Sequence, residues 1–580
     1  MKKDGKVLRR MLGYLSKYRG LLAGGFIGVL FSVPLALLGP IFIGRAVDAI
    51  IGEGDVDFAS VLLNLSLLAG SVLLSAFLQW IMHMCARKVS ARAAQEIRRQ
   101  AFDRINEVPL SRIDSHSHGD IVSRLVNDAD AVSEGFLQGI IQMFPGIITI
   151  VVTIVLMLTL NTTITIVVIL ITPLSILFAR LVTRRTSKLF VQQSEAQGEM
   201  SGYVGEMVAS QNLLMAFSYE ETSELEFEAV NQKYFTSSFK ATMYASIINP
   251  GTRFVNSIVY AAVGILGAIL AVNGSITVGG VSAFLAYANQ YTRPFNEITA
   301  VIAQLQSAVV GARRLFEVID WESEAADVDE ALAPEYAKGA VAAEDVYFSY
   351  VPERPLIQNF SVNVQPGQRI ALVGPTGCGK TTIINLLMRF YEVNKGVIAV
   401  DGTPVSEIKR DNLRRLYGMV LQETWLKCAS VRDNIAYARP HADDEEIIAA
   451  AKAAYAHRFI MRLPNGYETI IESGGGNLSA GQKQLLCIAR IILTKPDMLI
   501  LDEATSSIDT RTEMLIQKAM QRLMEGHTSF IVAHRLSTIQ NADLILMMDA
   551  GRVVEQGKHE ELLAKEGHYA SLYNSQFVLE

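Results

Sequence analysis

Cysteine is scarce in this chain: four among 580 residues, at Cys85, Cys378, Cys428 and Cys487. They are widely spaced and form no metal-ligand pattern, and all four are expected to be reduced and on the cytosolic side. Net charge is also low. Fifty-two Lys and Arg against 58 Asp and Glu leave −6, small for this length, which argues neither for nor against a nucleic-acid partner. No cleavable signal peptide is expected, because the basic N-terminus leads into an amphipathic stretch and not into a short apolar core with a cleavage site. What is plentiful is hydrophobic: 50% of residues, with a mean hydropathy of +0.27. The chain is too long for one ordinary core, and the average conceals a division. Residues 21–301 hold long apolar runs, while the remainder reads as a soluble α/β protein.

Six runs approach the length needed to cross a bilayer, about 20 mostly apolar residues. Their cores lie near Leu21–Ile43, Phe58–Met82, Phe136–Leu160, Ile164–Val182, Phe254–Val272 and Val278–Ile298. The last has the weakest hydropathy, since it carries Asn289, Gln290, Arg293, Asn296 and Glu297. Spans three and four are joined by Asn161-Thr162-Thr163, and spans five and six by Asn273-Gly274-Ser275-Ile276-Thr277. The connections after spans two and four run for dozens of residues and hold the arginines and lysines, among them Arg87, Arg92, Arg98, Arg99, Arg184 and Arg185. The positive-inside rule then puts the long connections and both termini in the cytoplasm. Ser90–Val108, Glu195–Val208 and Glu224–Phe235 keep apolar residues at helical spacing, so the membrane helices are expected to continue into the cytosol. They must turn near Leu110–Asp120 and near Gln211–Phe217. Val7–Tyr18 suits an amphipathic helix along the inner interface.

Polar residues inside a span are candidate functional sites, because a charge at mid-bilayer costs roughly 2.5–3.5 kcal/mol. For Arg293, with Tyr287, Asn289, Gln290 and Tyr291 before it and Pro294 after it, two readings stay open: a translocation pathway or gate, or interhelical packing. For Trp80 and His83, near Gln79 at the inner end of the second span, packing and anchoring are the favoured reading.

The C-terminal half carries chemistry at short range. Arg369–Val373 reads as a buried strand running into Gly374-Pro375-Thr376-Gly377-Cys378-Gly379-Lys380-Thr381, with Thr382–Phe390 as the following helix. Strand, glycine-rich loop and helix are the setting of a phosphate-binding loop. Its glycines let successive N–H groups wrap phosphate oxygens at a helix N-terminus. Lys380 would meet the β- and γ-phosphates, and Thr381 would give a hydroxyl to Mg²⁺. Met498–Leu501 is a second buried-strand pattern, ending in Asp502-Glu503. Asp502 would hold Mg²⁺, and Glu503 would orient the attacking water. Leu478-Ser479-Ala480-Gly481-Gln482 precedes a helical segment, which places an anion site at its N-terminus. That site cannot easily serve its own phosphate loop, but it could face one on a second copy or a partner.

With these motifs in this order the chain resembles an ATP-binding cassette (ABC) exporter half-transporter over essentially its whole length. The resemblance implies a membrane α-helical domain of six transmembrane helices, type I exporter-like, fused to an α/β P-loop NTPase domain with a helical subdomain. The segments would be an interfacial helix at 1–19, a transmembrane domain at 20–305, a linker at 306–340 and the ATPase domain at 341–580. It further implies that Tyr350 stacks on adenine and that Thr382 completes the loop's contacts. Gln422 would sense Mg²⁺ and touch the membrane domain, Asp509 would belong to the loop that communicates across the dimer, and His534 would contact the γ-phosphate. The turns near Leu110–Asp120 and Gln211–Phe217 resemble coupling helices that dock on ATPase domains.

Two departures from the family pattern matter. The third signature position, usually Gly, is Ala480. After Gln422-Glu423, Leu426-Lys427-Cys428-Ala429-Ser430-Val431 replaces the usual Leu-Phe-Ser-Gly-Thr-Ile. Intact Lys380, Asp502, Glu503 and His534 beside a non-consensus signature resemble the hydrolytic half of a bacterial heterodimeric multidrug exporter; a homodimer that tolerates one methyl is the alternative. The expected cofactors are ATP and Mg²⁺. The expected surroundings are a second half-transporter, the lipid bilayer of the cell membrane and a small-molecule or lipid cargo. A soluble cassette ATPase of DNA repair or translation is disfavoured by the spans, so no nucleic-acid partner is expected. An ATP-gated channel and an exporter-shaped importer, for example of a metal chelate, use the same parts. The cargo itself is not readable from these residues.

Overall fold

The computed structural model describes residues 2–577 apart from 53–54, 329, 422–423, 503–507 and 533–535. The chain divides into two compact units, Met1–Asn106 with His118–Trp321 and Glu107–Ser117 with Glu322–Glu580.

The first unit is helical except for a small hairpin, Ile50–Gly52 with Asp55–Val56. Among the described residues four stretches are long and apolar enough to cross a bilayer: Arg19–Asp48, Phe58–Glu107, His118–Leu160 and Glu220–Val272. Thr162–Pro173 is a shorter apolar stretch at the head of a 48-residue helix, Thr162–Ala209. The sixth predicted span opens the helix Val278–Ile319 and is not among the four. Its amides and charges dilute its hydropathy. Phe58–Glu107 is one helix of 50 residues, about 75 Å at 1.5 Å per residue, against a hydrocarbon core of about 30 Å. Helical periodicity therefore carries through the arginine-rich connections. The two tips are short helices, Leu110–Asp114 and Gln211–Ala216.

Close backbone approaches hold the first and last membrane helices together at one end. A Cβ on Gly44 would stand 2.5 Å from the Gly279 carbonyl oxygen, and one on Gly279 would stand 1.9 Å from that of Gly44. Asp48 accepts hydrogen bonds there from Thr277 Oγ1 (2.7 Å) and the Gly279 N–H (2.6 Å). At the other end Lys2–Ser16 buries Met11 and Tyr14, while Leu8 and Leu12 stay exposed. Arg10 lies 4.3 Å over the Phe316 ring, and its Nη1 donates to both Asp320 carboxylate oxygens, which raises its pKa above the usual arginine value. Val278–Ile319 runs beyond the linker start expected at 306, because Ala308, Ala312, Leu315 and Phe316 continue a buried helical face.

The second unit holds two sheets. Six strands lie in the order 552–557, 544–549, 369–373, 528–532, 498–502 and 417–420, all pairs parallel except the first. Met498–Asp502 and Thr528–Val532 are buried at every position, as expected of interior strands in a parallel sheet covered on both faces. The other sheet is antiparallel, in the order 357–364, 341–348, 395–400 and 403–404. Two apolar cores form. One gathers Cys378, Ile383, Ile384 and Leu387 with the antiparallel sheet. The other gathers Leu478, Leu485, Ile488 and Ile491 with the helical segment around 431–471.

One ion cluster, shared by two arginines, ties the connecting segment to the ATPase domain. Arg410, 7% exposed, reaches Asp327 (2.8 Å), Glu392 (2.7 Å) and Glu324 (3.3 Å). Arg389, also buried, reaches Glu392 (2.8 Å) and the carbonyls of Val405 and Ile408.

Candidate nucleotide and translocation sites

The parallel register brings the chemistry to the C-terminal ends of the interior strands. Val532 pairs with Leu372 on one side and Asp502 on the other. Two residues after Leu372 the chain enters the glycine loop, so Asp502, 8% exposed, ends its strand at the same level as the loop. Glu503, Gln422 and His534 lie outside the described residues.

Three loop glycines have left-handed backbone, Gly374 (φ 153°), Gly377 (φ 82°) and Gly379 (φ 103°). A Cβ on Gly374 would meet the Met548 carbonyl oxygen at 2.1 Å and Cys378 Sγ at 2.9 Å, so only hydrogen fits. Pro375, Thr376 and Gly377 are exposed, while Cys378 and Lys380 are buried. Lys380 Nζ donates to the carbonyls of Gly374 (2.7 Å) and Pro375 (3.0 Å), with Cys378 Sγ at 3.8 Å. Thr381 is exposed at the head of the helix Lys380–Leu387. An exposed cradle, a helix N-terminus and a lysine on a short tether fit a polyphosphate. The exposed Thr381 hydroxyl and the Asp502 carboxylate are hard oxygen donors of the kind Mg²⁺ takes.

Tyr350 is braced beside this loop. Its hydroxyl donates to Thr382 Oγ1 (3.3 Å) and accepts from Asn385 Nδ2 (3.2 Å). Its ring stands edge-to-face on Phe348 and Tyr391, each at 4.9 Å, and stays 44% exposed. A braced aromatic face is what a base would stack on.

The signature residues occupy a separate core. Ser479 and Gln482 form a capping box on the helix Ala480–Thr494: Ser479 Oγ accepts from the Gln482 N–H (3.3 Å), and Gln482 Oε1 accepts from the Ser479 N–H (3.0 Å). This motif satisfies two end donors of the helix reciprocally. Ser479 and Ala480 are exposed, so the extra methyl of Ala480 meets solvent and not this domain's core. Gly481 is buried, and a Cβ there would meet Thr512 Cγ2 at 2.3 Å. Thr512 lies in the first turn of the helix Thr510–Met524, which Asp509 caps by accepting from the Thr512 N–H (2.9 Å). That bond lowers the Asp509 pKa below the ordinary carboxylate range. Gly481 and Asp509 are therefore neighbours through one threonine.

In the membrane unit a cavity of about 360 Å³ joins residues far apart in sequence: Gln79 and His83, Gln142, and Gln290, Arg293 and Glu297. Arg293 Nε donates to Glu297 Oε1 at 2.8 Å, one helical turn on, and the arginine side chain is 81% exposed. Within this cluster the surroundings differ by residue. Arg293 and Gln290 face a cavity, whereas Tyr287 is buried with its hydroxyl on the Leu37 carbonyl (2.6 Å). His83, read from sequence as packing, lines the cavity; Trp80 does not and is exposed. Gln142, which sequence reasoning passed over, lies in a π-helical turn, Gly139–Met143, just before Pro145. The proline was the available signal, since its missing N–H interrupts regular α-helical bonding.

Tyr391 was also missed. Its hydroxyl donates to Asp114 Oδ2 in the helix Leu110–Asp114, and its pKa is raised, first by burial and then by that bond. Nothing local in the sequence around 391 points at residue 114.

A phosphate-loop sheet domain joined to a bundle of bilayer-length helices defines a membrane-embedded transport ATPase. Residues 22–295 match the ABC transporter transmembrane region model, and residues 357–506 match the ABC transporter model. The chain is 39% identical over 577 residues to the uncharacterised ABC transporter ATP-binding protein YfiC of Bacillus subtilis, covering 99% of this chain and 95% of that one. It is 38% identical over 518 residues to a fatty acid ABC transporter ATP-binding/permease protein of Mycobacterium bovis, covering 89% and 82%. A solved structure of a bacterial Atm1-family ABC exporter with ATP bound superposes with a TM-score of 0.78 at 27% identity, over 96% of this chain and 98% of that one. The chain belongs to the ABC transporter family and is an exporter-type transporter with its own ATPase domain.

Proposed function

We propose that this chain is one half of an ATP-driven exporter of amphipathic small molecules, drugs or lipids, working by alternating access with a second half-transporter. The observation that carries the reading is the separation of two half-sites inside one ATPase domain. The phosphate loop packs in one core and the exposed Ser479-Ala480 turn caps a helix in the other. A site completed by a second chain uses both. In that site the loop N–H groups and Lys380 hold the phosphates, and Tyr350 stacks on the base. Thr381, Asp502 and Gln422 hold Mg²⁺, which offsets phosphate charge. Glu503 orients water, His534 contacts the γ-phosphate, and Ser479, Gly481, Gln482 and Asp509 serve the partner's nucleotide.

ATP binding closes two cassettes on each other, because a ligand that prefers the closed state shifts the population toward it. The tips Leu110–Asp114 and Gln211–Ala216 would carry closure to the long helices. Leu213, Met215 and Phe217 are exposed on the second tip, an apolar surface that a partner's cassette would cover. The arginine-rich connections support a cytoplasmic ATPase domain and cytoplasmic termini, by the positive-inside rule. Ala480 favours a heterodimer, in which it faces a weak site on the partner while Glu503 works at the strong one.

Purification with the neighbouring gene product, followed by ATPase assays of the chain alone and paired, tests this reading. Glu503→Gln should bind ATP, trap the closed dimer and abolish turnover. Normal turnover in that variant, or ATP hydrolysis by a strict monomer, would refute it. Flux uncoupled from hydrolysis would identify a channel, and inward movement in oriented vesicles an importer.

A further inference from the structure

We propose that the cavity carrying Arg293 selects its cargo by headgroup, and that the cargo is an amphiphile whose anionic head stands beside an N–H or O–H donor. This rests on the exporter reading and names its substrate class.

The guanidinium of Arg293 is only partly used. Its Nε bonds Glu297, while its two terminal amino groups have no partner among the described residues, and the side chain is 81% exposed. Those amino groups form a planar fork matched to a carboxylate or phosphate. Glu297 is less available. One of its oxygens is already engaged and its side chain is 38% exposed, so the pair presents four spare N–H donors against one spare carboxylate oxygen. The cavity therefore meets a ligand with surplus positive donors although its formal charges balance. Glu297 keeps the arginine compensated when no anion is present, which lowers the cost of holding it at membrane depth.

Two amides supply the second half of the pattern. Gln290 Oε1 is buried without a hydrogen-bond partner. A buried carbonyl oxygen in that condition is costly, and a donor from a ligand relieves it once the amide turns toward the cavity that Gln290 lines. Gln142, across the cavity on the π-helical turn, also has no hydrogen-bond partner among the described residues. The remaining wall includes Val33, Leu37, Met82 and Ile141, which suit a hydrocarbon chain. At about 360 Å³ the space holds roughly a dozen waters at about 30 Å³ each, enough for a head and the first methylenes but not for a whole lipid. A simple fatty acid satisfies the arginine but not Gln290. An N-acyl amino acid, or a lipid with an anionic hydroxylated head, satisfies both.

The test uses the full chain with its partner in lipid nanodiscs and a tail-matched probe set below micellar concentration. The probes are N-dodecanoylglycine, dodecanoate, the methyl ester of N-dodecanoylglycine and dodecyltrimethylammonium. Half-maximal concentrations for binding are measured first, then ATP-dependent movement in proteoliposomes. N-Dodecanoylglycine should bind best, dodecanoate next, and the neutral ester about tenfold more weakly than its acid, as expected for loss of a charge-assisted bidentate contact. The cation should bind weakest. Arg293→Gln should bring the acid-to-ester ratio near one, Arg293→Lys should keep part of it, and Glu297→Gln should tighten the acids. Gln290→Leu should erase the advantage of N-dodecanoylglycine over dodecanoate; that comparison still decides the matter if Arg293→Gln does not assemble. Equal binding of acid, ester and cation by the wild-type protein, or an unchanged ratio in Arg293→Gln, would overturn the headgroup assignment and leave ATP-driven export standing. ATP-dependent movement of no amphiphile at all, from a preparation that hydrolyses ATP, would instead overturn the export reading and this proposal with it.

Discussion

Replacing Tyr391 with Phe removes one hydroxyl and leaves a ring. That ring lies edge-to-face at 4.9 Å from Tyr350 and 5.7 Å from Phe348, and its hydroxyl donates to Asp114. A single side chain thus touches both the proposed base-stacking residue and the first tip helix, which belongs to the same compact unit. A backbone bond from the Glu324 N–H to the Glu107 carbonyl (2.7 Å) holds the root of that tip. A hydrogen bond to a carboxylate is worth roughly 1.5–3 kcal/mol when shielded. Asp114 is exposed and Tyr391 only half-buried, so solvent screening brings the expectation to about 1 kcal/mol, or about a fivefold change in the equilibrium for holding the tip. The phenol's raised pKa keeps it a donor through neutral pH. Tyr391→Phe and Asp114→Asn should each weaken ligand-stimulated ATPase by about fivefold, with a much smaller effect on nucleotide affinity because the ring still braces Tyr350. Tyr391→Leu, which removes the brace, should raise the ATP concentration needed for half-maximal rate. The double variant Tyr391→Phe/Asp114→Asn should be no worse than either single one. Effects that add, with an interaction below about 0.3 kcal/mol, would show that the bond does not couple the two residues.

Further outcomes follow from the same packing. Arg410→Met removes the cation that Glu324, Asp327 and Glu392 share, leaving Arg389 to Asp327 and Glu392 and Arg414 to Glu324; the expected loss is about 2 kcal/mol, the scale of lost hydrogen bonds to charged groups, read as a lower unfolding temperature of the ATPase domain, and an unchanged midpoint would contradict it. Gly374→Ala puts a methyl 2.1 Å from the Met548 carbonyl oxygen at φ 153°; strain of about 1–3 kcal/mol from the backbone alone should abolish nucleotide binding, measured with a fluorescent ATP analogue. A maleimide should label exposed Cys428 well before buried Cys378, and MgATP should protect only Cys378; full inhibitor sensitivity in Cys378→Ala would move the inhibitory site elsewhere.

The two halves of the chain were legible because their signals are local. Uncharged runs can be counted directly, and a glycine loop between a strand and a helix needs only neighbours along the chain. Element ends were less legible. The last membrane helix continues to Ile319, where the composition, rich in Ala, Glu and Asp soon after, suggested an earlier linker. The signature's capping box was implicit in Ser479-Ala480-Gly481-Gln482, since Ser followed three residues later by Gln is the pattern itself. The weak sixth span was legible as polar but not as to why.

By itself the sequence determined that a bilayer-length helical half precedes a phosphate-loop half, and which residues form the glycine loop between strand and helix. Those properties depend on composition and on spacings of a few residues. Only the tertiary structure decided that Gln79 and His83 share a cavity with Arg293, that Tyr391 meets Asp114, and that Gly481 rests on Thr512. Periodicity tells which face of a helix is apolar, but the partner of that face is chosen by packing across tens to hundreds of residues, where no local spacing records the choice.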